Sequence, residues 1–418
     1  MKFISIRIGL LLTMLAPCYF TMAQNMNMPY SLYGLGEIDR KPYDRTQGMG
    51  GTGLALQSPF YALQANPAAT SALVRSFYQI DFAATGKTLT YQGQAIDADN
   101  SNNKDFWIKR LGLTFKLTDR WASGIGFSQF SNVNYNLTGT RTITGSTENY
   151  NTQQTGDGGL TEYYWNNAYR VGKRLALGIR SSILAGSINA TETISDAGLN
   201  EPVTTSIQDY MASARFRFGA QYALPMGKNW NLGLGAVYSP RVKLIAERTL
   251  TVTEGNESLV SDEFLTNYNR YVPQTWGGGL VLKYRDKVSY AVDFNHEDWS
   301  ANLISGKGWQ MRSSNRISAG VEWSRRMVSA NQYIEKNFFQ VGAYYDQGSL
   351  QVKNQGISEW GISAGLGGIL GRNLLYTVAV EGGQRGTTSY NLIRENFFQL
   401  SFTFSYRDFL YSKGRKYE

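Results

Sequence analysis

From about residue 76 onward, apolar and polar residues alternate one by one along the chain. The last segment is the clearest. Phe398, Leu400, Phe402, Phe404 and Tyr406 fall on one side, and Gln399, Ser401, Thr403, Ser405 and Arg407 on the other. Segments 288–295, 316–323 and 215–222 repeat the pattern. Successive side chains of a strand face opposite ways, so a period of two predicts strands with one greasy and one wet face. The greasy faces are large and aromatic, and the wet faces carry Arg, Lys and Glu. Many segments run ten residues or more, which suits a tilted membrane strand of about 9–11 residues better than a soluble strand of about 5–6. The pattern predicts an all-β fold, a closed antiparallel transmembrane β-barrel of fourteen strands near 76–87, 106–117, 121–138, 160–171, 175–190, 207–224, 230–247, 270–284, 287–298, 313–326, 336–346, 356–368, 373–386 and 394–407. Closure satisfies every backbone group in lipid.

The connections sort into tight turns at 118–120, 172–174, 226–229, 285–287 and 371–372 and long polar loops near 139–159, 191–206 and 248–269. Short periplasmic turns and long extracellular loops are typical of such barrels. Trp121, Tyr222, Trp230, Tyr284 and Tyr290 lie beside the tight turns, where an aromatic girdle is expected.

Residues 24–75 do not alternate. They hold Gly34, Gly36, Gly48, Gly50, Gly51 and Gly53 and four prolines, Pro29, Pro42, Pro59 and Pro67. Ser58-Pro59 before 60–64 reads as a capped short helix. The segment is expected to be a compact N-terminal hatch that plugs the lumen. Ahead of it, Lys2 and Arg7, the apolar run 8–16 and Thr21-Met22-Ala23 read as a secretory signal peptide over 1–23. The proline in Leu15-Ala16-Pro17-Cys18 speaks against a lipoprotein site. The expected organisation is therefore 1–23 signal peptide, 24–75 hatch, 76–408 barrel and 409–418 a short basic periplasmic tail, in the outer membrane of a Gram-negative bacterium.

Composition agrees with this reading. Aromatic residues make up 13%, with 27 Tyr, 44 Gly and only 9 Pro. Beyond Ala23 no apolar stretch reaches the roughly 20 residues of a membrane helix. The net charge of +9 falls to +7 once Lys2 and Arg7 are removed, and the basic residues are interspersed with acids, so no nucleic-acid surface is indicated. The one cysteine, Cys18, lies in the signal peptide, which leaves the mature chain without a disulfide or thiolate site.

Catalytic and metal chemistry are not indicated. Gly361-Ile362-Ser363-Ala364-Gly365 fits a nucleophile pattern, but it sits in an alternating strand and the only histidine, His296, precedes it. Asp293, Glu297 and Asp298 around His296 read as a wet rim rather than a metal site. No cofactor is expected, and Gly365-Leu366-Gly367-Gly368 has no following helix to make a dinucleotide site.

Met49-Gly50-Gly51-Thr52-Gly53-Leu54-Ala55, followed by Ala65-Asn66-Pro67-Ala68, resembles the long-chain fatty-acid transporter family (FadL/TodX). In that family a glycine-rich hatch with an Asn-Pro-Ala motif plugs a fourteen-stranded barrel, and Asn66, Pro67 and Ala68 match the motif residue by residue. The stretch 233–240 is loosely similar to a Gly-rich strand of the family. The resemblance implies uptake of hydrophobic molecules such as fatty acids through a lumenal pocket, with release sideways through a kinked wall into the membrane. Each methylene kept out of water is worth about 0.8 kcal/mol, so a greasy route is physically coherent. Candidate wall breaks are Pro240, which removes a ladder donor, and Gly124 and Gly126. Ordinary strand glycines, and a proline that ends a membrane span, are the plainer readings of these positions. In the loop 259–268, the helix-like spacing of Val260, Phe264 and Tyr268 suggests a ligand-facing surface, with packing on neighbours as the plain alternative.

Two functions follow, and a third, a polar porin, is disfavoured by the expected plug. One is gated uptake of hydrophobic small molecules. The other is a barrel of the same type that has lost transport and serves as a subunit or shuttle of an outer-membrane assembly or secretion complex. Expected partners are the apolar ligand, outer-membrane lipid and lipopolysaccharide, and in the second case a protein complex. A continuous apolar lining from loops to hatch would separate the two.

Overall fold

The computed structural model describes residues 28–74, 77–93, 101–142, 149–195, 201–265, 270–299, 305–329, 332–371 and 373–409. The signal peptide and residues 410–418 of the expected tail lie outside these.

Fourteen antiparallel strands close a barrel. They are β1 (Phe77–Gln92), β2 (Asn102–Lys116), β3 (Trp121–Gln129 and Ser131–Thr142), β4 (Asn149–Arg170), β5 (Leu175–Ser195), β6 (Val203–Met226) and β7 (Trp230–Ser239 and Val242–Glu254). The second half holds β8 (Glu257–Leu265, Arg270–Val272 and Gln274–Tyr284), β9 (Val288–Asp298), β10 (Ser314–Ser329), β11 (Gln332–Asp346), β12 (Glu359–Leu370), β13 (Leu374–Gly386) and β14 (Arg394–Phe409). Each pairs with the next, and β14 returns to β1 from Phe77↔Phe409 to Gln92↔Arg394, so no edge is left along that closure. All fourteen expected strands are present, in order.

The alternation sorts as expected. On β14, Phe398 and Phe404 are exposed on the outer face, whereas Gln399, Ser401, Thr403 and Ser405 are buried inward. Trp121, Tyr222, Trp230 and Tyr290 are exposed near the tight turns, and Tyr284 packs at a tilt on Trp230 with ring centroids 4.6 Å apart.

The long polar "loops" are mostly strand, which corrects the sequence reading. β4 has 22 residues and β6 has 24. At roughly 3.3 Å per residue, such strands far exceed a hydrocarbon core of about 30 Å even when tilted. Their Thr-rich ends therefore project as paired hairpins. Thr suits a pleated surface, and the antiparallel partner satisfies its backbone. Residues 257–265 likewise form a strand, not a helix. The register with β7 shifts between Leu250↔Glu263 and Val252↔Val260. That bulge turns Val260 and Phe264 to opposite faces, with Phe264 70% exposed. Tyr268 lies outside the described residues. A feature not anticipated is a small sheet of Ser305–Gly306, Trp309–Met311, Leu350–Val352 and Gln355–Gly356 between the loops that follow β9 and β11. Trp309 in it packs on Tyr33 at 5.3 Å.

Candidate functional site

Segment 28–74 packs against strands on opposite sides of the barrel, its 3-10 turns touching β3 to β6 and β10 to β13. Its short 3-10 turns, Arg45–Met49 and Pro67–Ala72, are buried along their first five residues. Ser58 Oγ accepts from the amides of Phe60 and Tyr61, both at 3.2 Å, so the expected cap forms, but no helix follows it. These bonds fix a bend instead.

Asn66 ties the segment together. Its Oδ1 accepts from Ala68 N at 3.0 Å and so caps the turn that Pro67 opens. Its Nδ2 donates to Leu54 O at 2.9 Å, Ala220 O at 3.0 Å and Ala236 O at 3.3 Å, which joins the glycine-rich stretch and strands β6 and β7. Gly50 and Gly51 adopt φ of +67° and +77°, the left-handed region that favours glycine. Gly50 N donates to Ser363 Oγ at 2.8 Å, which gives that serine a structural place in mid-strand. The amides of Gly53 and Leu54 donate to Asp293 Oδ2 at 2.6 and 2.9 Å. The motif residues are therefore brought to one network, with His296 apart from it, bonded to Asn315 at 2.7 Å.

Sequence reasoning missed the charges that hold this segment. Arg45 meets Glu322 at 2.8 Å and Glu335 at 2.5 Å and lies between the rings of Tyr61 and Phe338. Lys41 meets Glu381 at 2.6 Å, Arg40 meets Glu297 at 2.8 Å, and Asp39 meets Lys109 at 2.9 Å. The usable signal was present: charged residues on the wet faces of membrane strands opposite Asp39, Arg40, Lys41 and Arg45 in the hatch. Glycines on the wet faces were a second signal. A Cβ at Gly178, Gly219, Gly320 or Gly342 would overlap hatch atoms of Asn66, Pro67, Ala68 or Met49.

The charges form a belt across the lumen. Along β9 and just beyond it, Ala291 belongs to a periplasmic-side apolar cluster with Met49, Tyr61 and Phe338, Asp293 and Glu297 to the belt, and Trp299 to an upper apolar cluster with Leu35, Phe130 and Met211. A cavity of about 170 Å³ lies at the belt. Seven of its lining residues are Arg or Lys and five are Asp or Glu. Smaller lumenal pockets of about 60 and 10 Å³ are lined by Lys87, Lys109 and Glu37, and by Lys41, Gln47 and Glu381.

Among the described residues the wall is interrupted at two places. β2 and β3 pair only between Arg110↔Ser128 and Lys116↔Ala122. Beyond Phe130 the freed edge of β3 pairs with the hatch strand Glu37–Ile38 through Glu37↔Asn132 and Ile38↔Ser131. Met28 N donates to Asn134 O at 2.7 Å in the same seam. Gly124 and Gly126 lie below it in intact ladder, opposite Thr114 and Gly112, so the interruption is not at the glycines. It comes where the hatch takes over the edge. At Pro240, β7 stops at Ser239 and resumes at Val242, and its pairing with β6 lapses between Tyr238↔Phe218 and Ile245↔Ala212. On the outer face, Ile80, Leu111, Ile125, Trp165, Ile183 and Phe216 line an apolar groove of about 780 Å³ across β1 to β6.

A family model described as BamG matches residues 5–418. The chain belongs to the BamG family. No curated protein matches it. Among solved structures, this BamG-family chain is similar to the CymD monoaromatic hydrocarbon channel, with a TM-score of 0.57 at 16% identity over 90% of this chain and 99% of that one. The Ralstonia pickettii toluene transporter TbuX gives 0.56 at 16% over 88% and 98%. A Pseudomonas aeruginosa FadL homologue gives 0.58 at 13% over 90% and 100%. At such identities the likeness is one of fold. The chain has the fold of a FadL-like barrel.

Proposed function

We propose that this BamG-family chain is a non-transporting FadL-like barrel that acts as a structural subunit of an outer-membrane assembly or secretion complex. The observation that carries this reading is the charged belt. A hydrophobic molecule moving from the upper to the lower apolar cluster must pass Arg40, Asp293, Glu297 and Arg316, all on the lining of the 170 Å³ cavity. A void of roughly 150 Å³ takes up benzene when its walls are apolar. Here a guest would strip ion pairs of their solvation and partners, which costs several kcal/mol per uncompensated charge. The apolar clusters on either side are already filled by Leu35 and Met49 of the hatch, both 0% exposed.

The interruption at Phe130 favours a second reading, sideways uptake of hydrophobic molecules. CymD is a monoaromatic hydrocarbon channel and TbuX a toluene transporter, and the seam beside β3 is closed by hatch residues, Met28, Ser31 and Glu37 to Asp39, rather than by a neighbouring wall strand. Uptake measurements separate the two. A deletion strain is expected to take up labelled toluene and a long-chain fatty acid at the wild-type rate, and liposomes holding the purified chain to match empty liposomes. A defect in uptake restored by the wild-type chain would overturn the subunit reading in favour of transport.

A further inference from the structure

Strands β5 and β6 place three arginines on one patch of the lumenal wall. Arg180 and Arg217 are directly paired across the two strands, and Arg215 stands opposite Ser182 on the same face. Directly opposed like charges destabilise a sheet. Among the described residues one carboxylate, Glu162, is ion-paired within the patch, 3.7 Å from Arg180 and 3.3 Å from Arg215. Glu162 also accepts from Ser182 Oγ at 2.9 Å. Arg180 donates through Nη2 to Gln64 of the hatch at 2.6 Å. The Nε groups of Arg180 and Arg215 are buried without acceptors, and these side chains are 6% and 8% exposed as residues. Arg217 has no hydrogen bond or ion pair among the described residues. Glu297, which also faces the cavity, is engaged by Arg40 at 2.8 Å and by Trp299 at 2.9 Å. Asp293 is taken by hatch amides, and Asp346 lies 3.8 Å from Arg316.

All three arginines border the 170 Å³ cavity. A buried guanidinium N–H without an acceptor is costly, and the planar fork matches the oxygens of a phosphate or carboxylate. We propose that Arg180, Arg215 and Arg217 form a binding site for a phosphate-class oxyanion inside the barrel. Its oxygens occupy the free donors and offset the two positive charges that Glu162 leaves over. Because Arg180 also holds Gln64, the bound anion stiffens the hatch. The chemistry is shared by free phosphate and by a phospholipid headgroup, and the cavity volume fits the free anion.

The test uses the full mature chain, purified in detergent and freed of phosphate. Equilibrium dialysis against labelled inorganic phosphate runs beside binding of short-chain phosphatidic acid. Saturable binding is expected that R217Q weakens roughly tenfold or more, the loss of a charged hydrogen bond, and that E162Q strengthens by removing the competing carboxylate. Heat-modifiable gel migration checks that each variant is a folded barrel. Arg217-dependent binding of phosphatidic acid alone assigns the site to a lipid headgroup and upholds it. If R217Q does not fold, E162Q decides: tighter binding than wild type supports the site, and unchanged binding overturns it. Absence of binding for both probes, or equal binding by wild type and variants, overturns the proposal.

Discussion

Replacing Arg45 by alanine is expected to loosen the hatch more than any other single truncation in the lumen. The guanidinium is 3% exposed and is shared between Glu322 and Glu335, with Tyr61 and Phe338 stacked on its two sides at 4.7 and 4.0 Å. R45A leaves two buried carboxylates facing each other without the guanidinium that bridges them. Breaking a buried pair from one side costs about 3–5 kcal/mol. Replacing both carboxylates along with the arginine removes that penalty, so R45M/E322Q/E335Q is expected to recover much of the loss. Hydrogen exchange reads this locally. Amides at 44–52 should exchange on the order of a hundredfold faster or more in R45A, given about 1.4 kcal/mol per factor of ten, while strand amides on the lipid side hold. Unchanged exchange in R45A would mean that the ion pairs do not hold the hatch.

The second large effect is steric. Gly219 faces inward on β6, and a Cβ there would overlap Asn66 Oδ1 and approach Pro67 Cδ at 2.8 Å. Leucine at this position cannot be accommodated by side-chain movement alone, because the obstacle is the capped turn itself. Overpacking costs about 1–3 kcal/mol for small excesses, and displacing Asn66 forfeits its bonds to Leu54, Ala68, Ala220 and Ala236 at about 1 kcal/mol each. G219L should therefore expel the turn Pro67–Ala72 and leave the barrel closed, since the ladder of β6 with β5 and β7 does not involve that side chain. Ala69 is 1% exposed. The mature chain read from the sequence has no cysteine, so an A69C reporter should stay unlabelled by maleimide in the parent and become labelled in G219L. A reporter that stays protected in G219L contradicts this seating of the hatch.

Much of the fold was legible because one physical constraint dominates it. A membrane strand must be greasy outside and wet inside, and the pairs Phe398/Gln399 through Tyr406/Arg407 write that constraint directly into the sequence. Strand ends were less legible. The Thr-rich hairpins above the membrane carry no greasy face, so Asn149–Arg170 and Val203–Met226 read as loops where the period weakened. The hairpin strand 257–265 was misread for a related reason: a bulge at 261–262 breaks the alternation and leaves an accidental spacing of four. Of the site, Asn66-Pro67-Ala68 and Gly50, Gly51 and Gly53 were visible as a motif, and the backbone conformations and caps explain their residue types. The partners of Arg45, Lys41 and Arg40 were not visible, because Glu322, Glu335, Glu381 and Glu297 are some 250 to 340 residues away in sequence and only closure of the barrel brings them together. The seam at Phe130 was missed because the hatch, not a Pro or Gly, interrupts the ladder there.

As a fixed part of a larger outer-membrane assembly, which is the role proposed for it, this barrel should be held to a protein partner in the membrane. The most direct measurement is quantitative purification of the tagged full-length chain from native outer membranes, with a photo-crosslinking residue at Trp165 in the outer apolar groove and native mass spectrometry of the product. The expected product is a defined complex in which the chain and another outer-membrane protein occur at a fixed ratio, with no apolar ligand in the lumen. A free barrel that carries a hydrophobic molecule inside it would contradict the account.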